Sequence, residues 1–411
     1  MEDFRNSVAE RFLRYTKFDT MSNAALAGVK RPTTDGQLKL LEVLKAELEE
    51  LGLETYLGPE AVVMGLLKAN KENVPTIGFM AHVDTADDVD GNHVKARRFV
   101  YEGGDIVLEG GTVIREDENP DLKNFISREI ITSDGTTLLG ADDKAGVSEI
   151  MEAVKYLTQH PEIKHGDIEI YFTPDEETGS GMSMFPYSRL KSKCCYTFDG
   201  GREGEVEAEC FNAATIELNV SGVSMHLGSA RGKLVNAITV LSQIITTLPM
   251  AESPEATDGR YGYYSVLEIG GTNVEAHAQL FIRDFDRESF ERRIEQSKLI
   301  ANNIASLYHA KIDIKTTISY RNMAEANRKV PEAITSIMEA GKNIGLDLYE
   351  TIIRGGTDGA RLAETGVPCP NIFAGGINFH SLEEWIPVDS MNSAVNLVLA
   401  IVSWWANKWK K

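Results

Sequence analysis

Thr76-Ile77-Gly78-Phe79-Met80-Ala81-His82-Val83-Asp84 is a short apolar run that closes on a histidine and an aspartate. Residues 76–81 read as a strand, and His82 and Asp84 follow at i and i+2. That spacing puts them on one face, so the carboxylate can hold the imidazole in one tautomer. Alone the pair carries little, because eight histidines and 62 acids in 411 residues leave about one His-x-acid match to chance. His160-Pro161-Glu162 and His165-Gly166-Asp167 fit the same template and read as surface turns.

The same grammar recurs outward from this stretch. Residues 168–172 alternate as a strand and run into Thr173-Pro174-Asp175-Glu176-Glu177-Thr178-Gly179. Residues 194–198 form a short strand followed by Asp199-Gly200-Gly201, and 371–374 another followed by Gly375-Gly376-Ile377-Asn378-Phe379-His380. Helical spacing covers 37–51 and 144–159, with a further apolar strand at 61–67, while 87–125 is rich in glycine and charge and reads as irregular or short-stranded. Strands alternating with helices predict an α/β fold with some parallel pairs.

From about 213 to 319 the order changes to strand 215–220, helix 234–248, strands 264–269 and 276–281, helix 287–308 and strand 311–318. This βαββαβ order is the split-βαβ signature of a compact α+β unit. The helix–strand alternation resumes through 334–344, 371–374 and 395–405. The expected architecture is an α/β domain in two segments, 1–209 and 325–411, interrupted by a smaller α+β domain at 210–324.

Composition narrows the function classes. Hydrophobic residues at 42% with 25% charged describe a globular chain, and 42 basic against 62 acidic residues give a net charge of −20. That charge repels phosphate backbones and anionic lipid, so neither nucleic acid nor membrane is an expected partner. The start, Met1-Glu2-Asp3-Phe4-Arg5, reads as an amphipathic helix (Phe4, Val8, Phe12, Tyr15) rather than a signal peptide. The most apolar stretch, 394–406, is too short to span a bilayer and reads as a buried terminal helix. Four cysteines without a C-x-x-C pair fit a reduced, cytoplasmic protein.

Gly140-Ala141-Asp142-Asp143-Lys144-Ala145-Gly146 lies at a strand-to-helix junction. Capping the helix is the commoner fate of aspartate there. The sharper reading has one aspartate cap and the other bridge two cations about 3.5–4 Å apart. Glu176 and Glu177 could divide metal ligation from proton transfer, or belong to a solvated acidic loop; Asp199 could mark a plain turn, and His380 could be a satisfied core histidine. Jointly, His82, Glu176/Glu177, Asp199 and His380 each follow a separate short strand, and ligands in open α/β sheets gather beyond the strands' carboxyl ends. Two histidines with two aspartates and a glutamate make two N/O sites suited to zinc or cobalt.

These motifs are joined by Arg31-Pro32-Thr33-Thr34-Asp35-Gly36-Gln37, by 138–146, by Ile282-Arg283-Asp284-Phe285-Asp286 and by Arg354-Gly355-Gly356-Thr357-Asp358-Gly359-Ala360. On them the chain resembles the di-zinc aminopeptidase and aminoacylase family over nearly its whole length. The resemblance implies a mixed-sheet zinc-peptidase domain whose α+β insert is a lid and dimerisation domain. It implies two Zn2+ per subunit, with Co2+ or Mn2+ as substitutes. His82 and Asp199 would hold one ion, Glu177 and His380 the other, and Asp142 would bridge them. Asp84 would orient His82, and Glu176 would be the general acid/base. His226, in Ser224-Met225-His226-Leu227-Gly228, would be an oxyanion donor reaching the partner's active site in a homodimer.

Arg283 and Arg354 are candidates for a peptide's terminal carboxylate, which a guanidinium fork suits, or belong to ordinary structural ion pairs. The implied activity is removal of the first residue from tripeptides, with small peptides as substrates. A same-fold dipeptidase or N-acyl-amino-acid amidohydrolase is the alternative. A non-catalytic peptide-binding descendant is least favoured, since every ligand and Glu176 are present. Ser381-Leu382-Glu383-Glu384-Trp385 departs from the expected pattern.

Overall fold

The structure is a computed structural model that describes residues 1–409. The chain divides into two compact units, one of Met1–Ala208, Met323–Ile352 and the segment from Thr357 onward, the other of Glu209–Asn322 and Ile353–Gly356.

The first unit is built on an eight-stranded mixed sheet. Its order is Glu54–Leu57, Val63–Leu67, Ile168–Thr173, Ile77–His82, Cys194–Gly200, Asn371–Phe373, Glu205–Cys210 and Tyr349–Ile353. The four strands from Ile168–Thr173 to Asn371–Phe373 are parallel neighbours, so their carboxyl ends share one edge. Ile77–His82 and Ile168–Thr173 are buried at every position, which is why they read as continuous apolar runs. On one face the helices Arg5–Tyr15, Ala141–Gln159 and Val388–Lys408 pack with the sheet into the main core, through Phe12, Val147, Ile150, Val154, Val395 and Val402. A smaller cluster of Met80, Tyr171, Cys195, Leu362 and Cys369 lies elsewhere in the unit. The architecture is the mixed-sheet α/β class that the alternation of strands and helices predicts.

Several local expectations need correction. Asp199 lies inside the Cys194–Gly200 strand rather than past its end. His165 is buried, not on a surface turn: its Nδ1 sits 2.8 Å from the Gly166 oxygen, its amide donates to Asn70 Oδ1, and its carbonyl accepts from the Asn70 and Lys71 amides. The 87–125 region contributes Arg97–Tyr101 to a small sheet with Arg128–Thr132 and Trp385–Pro387. Tyr349–Ile353, Asp358–Ala363 and Trp385–Pro387 are too short to show a period, so their sequence does not set them apart from loop.

The second unit is a four-stranded antiparallel sheet ordered Tyr263–Gly271, Glu275–Asp284, Asn212–Ser221 and Lys311–Tyr320. Alternate residues Ile216, Leu218, Val220, Ala278, Leu280 and Ile282 are buried with the apolar sides of helices Ala237–Thr247 and Arg287–Leu307. Asn236 and Asp286 cap the two helices by accepting from the Thr239 and Ser289 amides, at 3.3 and 2.8 Å. Among the described residues no helix is long and apolar enough to cross a membrane, and all four cysteines are buried.

Candidate metal centre

The shared carboxyl edge of the parallel strands gathers the acidic and imidazole groups of the first unit. His82 ends its strand opposite Thr173, the residue that leads into the loop carrying Glu176 and Glu177. The helix bearing Asp142 lies close on the neighbouring strand because Gly146 has no side chain to strike the Phe198 carbonyl. His82 Nε2 is 2.9 Å from Asp142 Oδ1 and 3.3 Å from Asp199 Oδ1. His380 Nε2 is 3.2 Å from Asp142 Oδ2 and 3.1 Å from Glu177 Oε1. Asp142 therefore faces one histidine with each carboxylate oxygen.

Further groups hold this cluster in place. Asp84 is fully buried, with Oδ1 3.3 Å from His82 Nδ1. Its main-chain carbonyl is closer to that nitrogen, at 3.1 Å, and its two carboxylate oxygens accept from the Glu176 and Glu177 amides at 3.0 and 3.2 Å, so one residue fixes both the histidine and the glutamate loop. Asp143 accepts from the amides of His82 (3.1 Å) and Gly146 (3.2 Å), the second being a cap-like contact in the first turn of the helix. Asn371 Oδ1 accepts from the Asp199 amide at 3.1 Å. Asp175 holds its loop from below by accepting from the Thr33 amide and hydroxyl and from Gln37, at 2.9, 2.6 and 2.9 Å. Arg31 donates to the Ser180 and Gly181 carbonyls at the loop's far end, 2.8 and 2.5 Å away.

The cluster is electrostatically lopsided. Burial pushes the Asp199 carboxyl up to about 7 and Glu177 up to about 8, each against the pull of nearby histidine. Burial likewise raises Glu176 well above the carboxylate range, with Asp199, Asp358 and Glu177 adding to it. Burial also opposes protonation of His82, yet Asp199, Asp142 and Asp84 outweigh it and its pKa rises. Hydrogen bonds to Asp142 and Glu177 lift His380 to about 11. Burial would raise Asp142 too, but both histidines bond it and its pKa falls. Crowded acids that hold protons and imidazoles that cling to them are the donor set that divalent cations satisfy. His82, Asp142 and Glu177 bring ligand atoms within 4.8 Å of one another, as do His82, Asp143 and Asp199. In the second group the Asp143 oxygens already accept backbone hydrogen bonds.

Comparison with known proteins adds to this geometry. Residues 116–404 match the model of peptidase family M20/M25/M40. The chain belongs to that family.

As an M20-family member it is a peptidase, a hydrolase of peptide bonds. It is 44% identical over 403 residues to a protein named peptidase T from Clostridium novyi (strain NT), covering 96% of this chain and 98% of that one. It is 42% identical over 409 residues to a peptidase T from Caldanaerobacter subterraneus subsp. tengcongensis, covering 98% and 100%. The fold matches aminopeptidase PepT from Bacillus cereus ATCC 10987 at TM-score 0.78 and 24% identity, over 98% of this chain and 99% of that one. A dinuclear metal-binding M20 peptidase from Bacillus subtilis matches at TM-score 0.67 and 15% identity, over 97% and 98%.

The remaining candidate residues of this M20 peptidase belong to the second unit. His226 is exposed and caps a short 3-10 turn, its Nδ1 accepting from the Gly228 amide at 3.2 Å. Arg283 donates through Nη1 to the Ile282 and Ala214 carbonyls and lies over the rings of Phe281 and Tyr320. Arg354 commits both terminal nitrogens to the 257–261 loop, at the Thr257, Gly259 and Tyr261 carbonyls, which is a structural clamp rather than an ion pair.

Sequence reasoning missed Asp358 and Glu384. Asp358 is buried, accepts from the Thr173 hydroxyl at 2.6 Å and sits against Gly181, where a side chain would strike it. Its motif, Arg354-Gly355-Gly356-Thr357-Asp358, carries no local signal of the acid's role. Glu384 lies in the segment that departs from the expected pattern, and its carboxylate meets the amides at the start of the Asp142 helix.

Proposed function

We propose that this chain is a two-metal aminopeptidase that removes the N-terminal residue from tripeptides. The observation that carries the reading is Asp142 presenting separate oxygens to His82 and His380, the arrangement a bridging carboxylate requires. Whole-length similarity to proteins named peptidase T supports the tripeptide class. His82 and Asp199 would hold one cation, Glu177 and His380 the other, with Asp142 shared; N/O donors of this kind suit Zn2+, and Co2+ or Mn2+ could substitute. When bound, the pair would act as Lewis acids on the scissile carbonyl and make water acidic near neutral pH.

The protein's own groups then move the proton and fix the geometry. Glu176 takes a proton from the attacking water as its oxygen bonds to the carbonyl carbon. It returns that proton to the amine nitrogen as the C–N bond breaks. Burial and the neighbouring acids raise the Glu176 carboxyl above its usual range, which makes it a stronger base toward the water proton. Asp84 keeps Glu176 and His82 in register, since it bonds the Glu176 amide and faces the His82 ring. The second unit serves as lid and dimerisation surface, and His226 reaches a partner's site as a donor to the developing oxyanion. Arg283 takes the peptide's terminal carboxylate, a role for which Arg354 has no free fork.

A panel of di-, tri- and tetrapeptides with free or acetylated amines tests the substrate class. Preferential release of the first residue from unblocked tripeptides is expected. Preference for dipeptides or acetylated amino acids would replace this reading with a sibling amidohydrolase.

A further inference from the structure

We propose that Glu384 is the positioning residue for Asp142, setting where the bridging carboxylate stands; this rests on the two-metal reading above. Glu384 is 1% exposed. Its Oε2 accepts from the amides of Leu139 (2.6 Å) and Gly140 (2.8 Å), and its Oε1 from those of Ala141 (2.7 Å) and Asp142 (3.3 Å). These amides lie just ahead of the regular turns of the Ala141–Gln159 segment, because Asp142 (ψ 105°) and Asp143 (φ −122°, ψ 31°) have non-helical backbone angles, and Gly140, with φ of 80°, offers no side chain to satisfy them. Buried backbone amides outside regular turns need an acceptor from elsewhere. A carboxyl group from the far end of the chain supplies all four contacts.

The placement ties the two halves of the centre together. His380 lies four residues before Glu384 on the same segment. That segment is folded on itself, with Asn378 Nδ2 donating to the Glu383 carbonyl at 3.2 Å and the Ser381 hydroxyl to the Asn378 carbonyl at 2.8 Å. Trp385, fully buried, pairs in both directions with the Ile377 main chain and lies opposite Thr132 in the small sheet. One rigid segment thus carries a ligand for one cation and, through Glu384, grips the backbone of the acid that must reach both.

The chemistry explains why glutamate stands there. A carboxylate offers about four lone-pair sites and no donor, and four N–H groups use them. A glutamine of the same shape would turn an NH2 group toward two N–H groups.

The test compares wild-type protein, Glu384→Gln and Leu157→Ala, a cavity in the other end of the same helix. Each is stripped of metal and titrated with zinc against a competing chelator, with Tm read before and after loading and kcat and KM measured on a tripeptide. Glu384→Gln is expected to bind zinc about 10–100-fold more weakly, with kcat falling more than KM rises. Leu157→Ala should lower the stripped Tm while keeping zinc affinity. Glu384→Gln with wild-type zinc affinity and kcat, and only a lower stripped Tm, would reduce Glu384 to an ordinary helix cap and overturn the proposal. Should that variant not fold, hydrogen exchange on metal-free wild type decides: the amides of Leu139, Gly140, Ala141 and Asp142 are expected to be slow, and loop-like exchange overturns it. Wild-type protein that takes up no zinc would instead sink the two-metal reading itself.

Discussion

Asp142 and Asp143 are adjacent in sequence and divide two tasks between them. Asp142 turns its oxygens to His82 and His380, while Asp143 turns its own to the amides of His82 and Gly146. Asn at 142 has one oxygen and cannot serve both sides. Asp142→Asn should therefore weaken metal binding by more than the roughly 10–100-fold that loss of a ligand's supporting partner costs. Asp143→Asn should keep both metals and lose about 1–3 kcal/mol of stability, because one of two buried amides loses its acceptor. Metal content and thermal unfolding, measured on both variants together, check the division.

Asp84 is the joint between the first histidine and the glutamate loop. Asp84→Asn sets an NH2 group against one of the amides of Glu176 and Glu177 and weakens the hold on His82. Metal affinity should drop about 10–100-fold, read by the same chelator competition.

Glu176 is assigned to the proton rather than to the metal. Glu176→Gln should bind metal as wild type does and lose about 10²–10⁴-fold in kcat. Equal loss of metal would move Glu176 into the ligand set, and near-wild-type turnover would remove it from the mechanism.

Glu149 lies outside the centre and should add its own pH dependence to stability. It is fully buried in the Ala141–Gln159 helix, and neither oxygen has a hydrogen-bond partner among the described residues. Burial raises its pKa well above the usual carboxylate value, so the folded protein keeps the proton that the unfolded chain releases. The group's contribution is therefore fully present below about pH 4 and is lost as pH rises toward the folded pKa, at about 1.4 kcal/mol per pH unit. Glu149→Gln removes the charge. In metal-free protein its unfolding midpoint, relative to wild type, should climb with pH from about 4 upward and be smallest in acid. A difference that does not change with pH would mean that Glu149 is ionised without cost.

What was legible in the sequence was what has a period or a local motif. The strand ending at His82 and the Glu176–Glu177 loop announce themselves within a dozen residues, and the βαββαβ order of the second unit emerges from successive runs between 213 and 319, each with its own period. Asp142 and Asp143 could not be told apart, because the choice depends on which backbone amides the fold brings up from Ile77–His82. Glu384 carries no local signal at all: its partners lie some 240 residues earlier, and only the docking of two loops gives it a task. His165 misled because a His-Gly turn reads as exposed, whereas the Asn70–Lys71 segment closes over it.

The central claim is tested most directly by stripping the protein of metal and offering it an unmodified tripeptide before and after zinc or cobalt is restored, with the products identified. Release of the first residue only after metal returns is the result expected. Hydrolysis that is indifferent to metal, or a protein that takes up none, would contradict it.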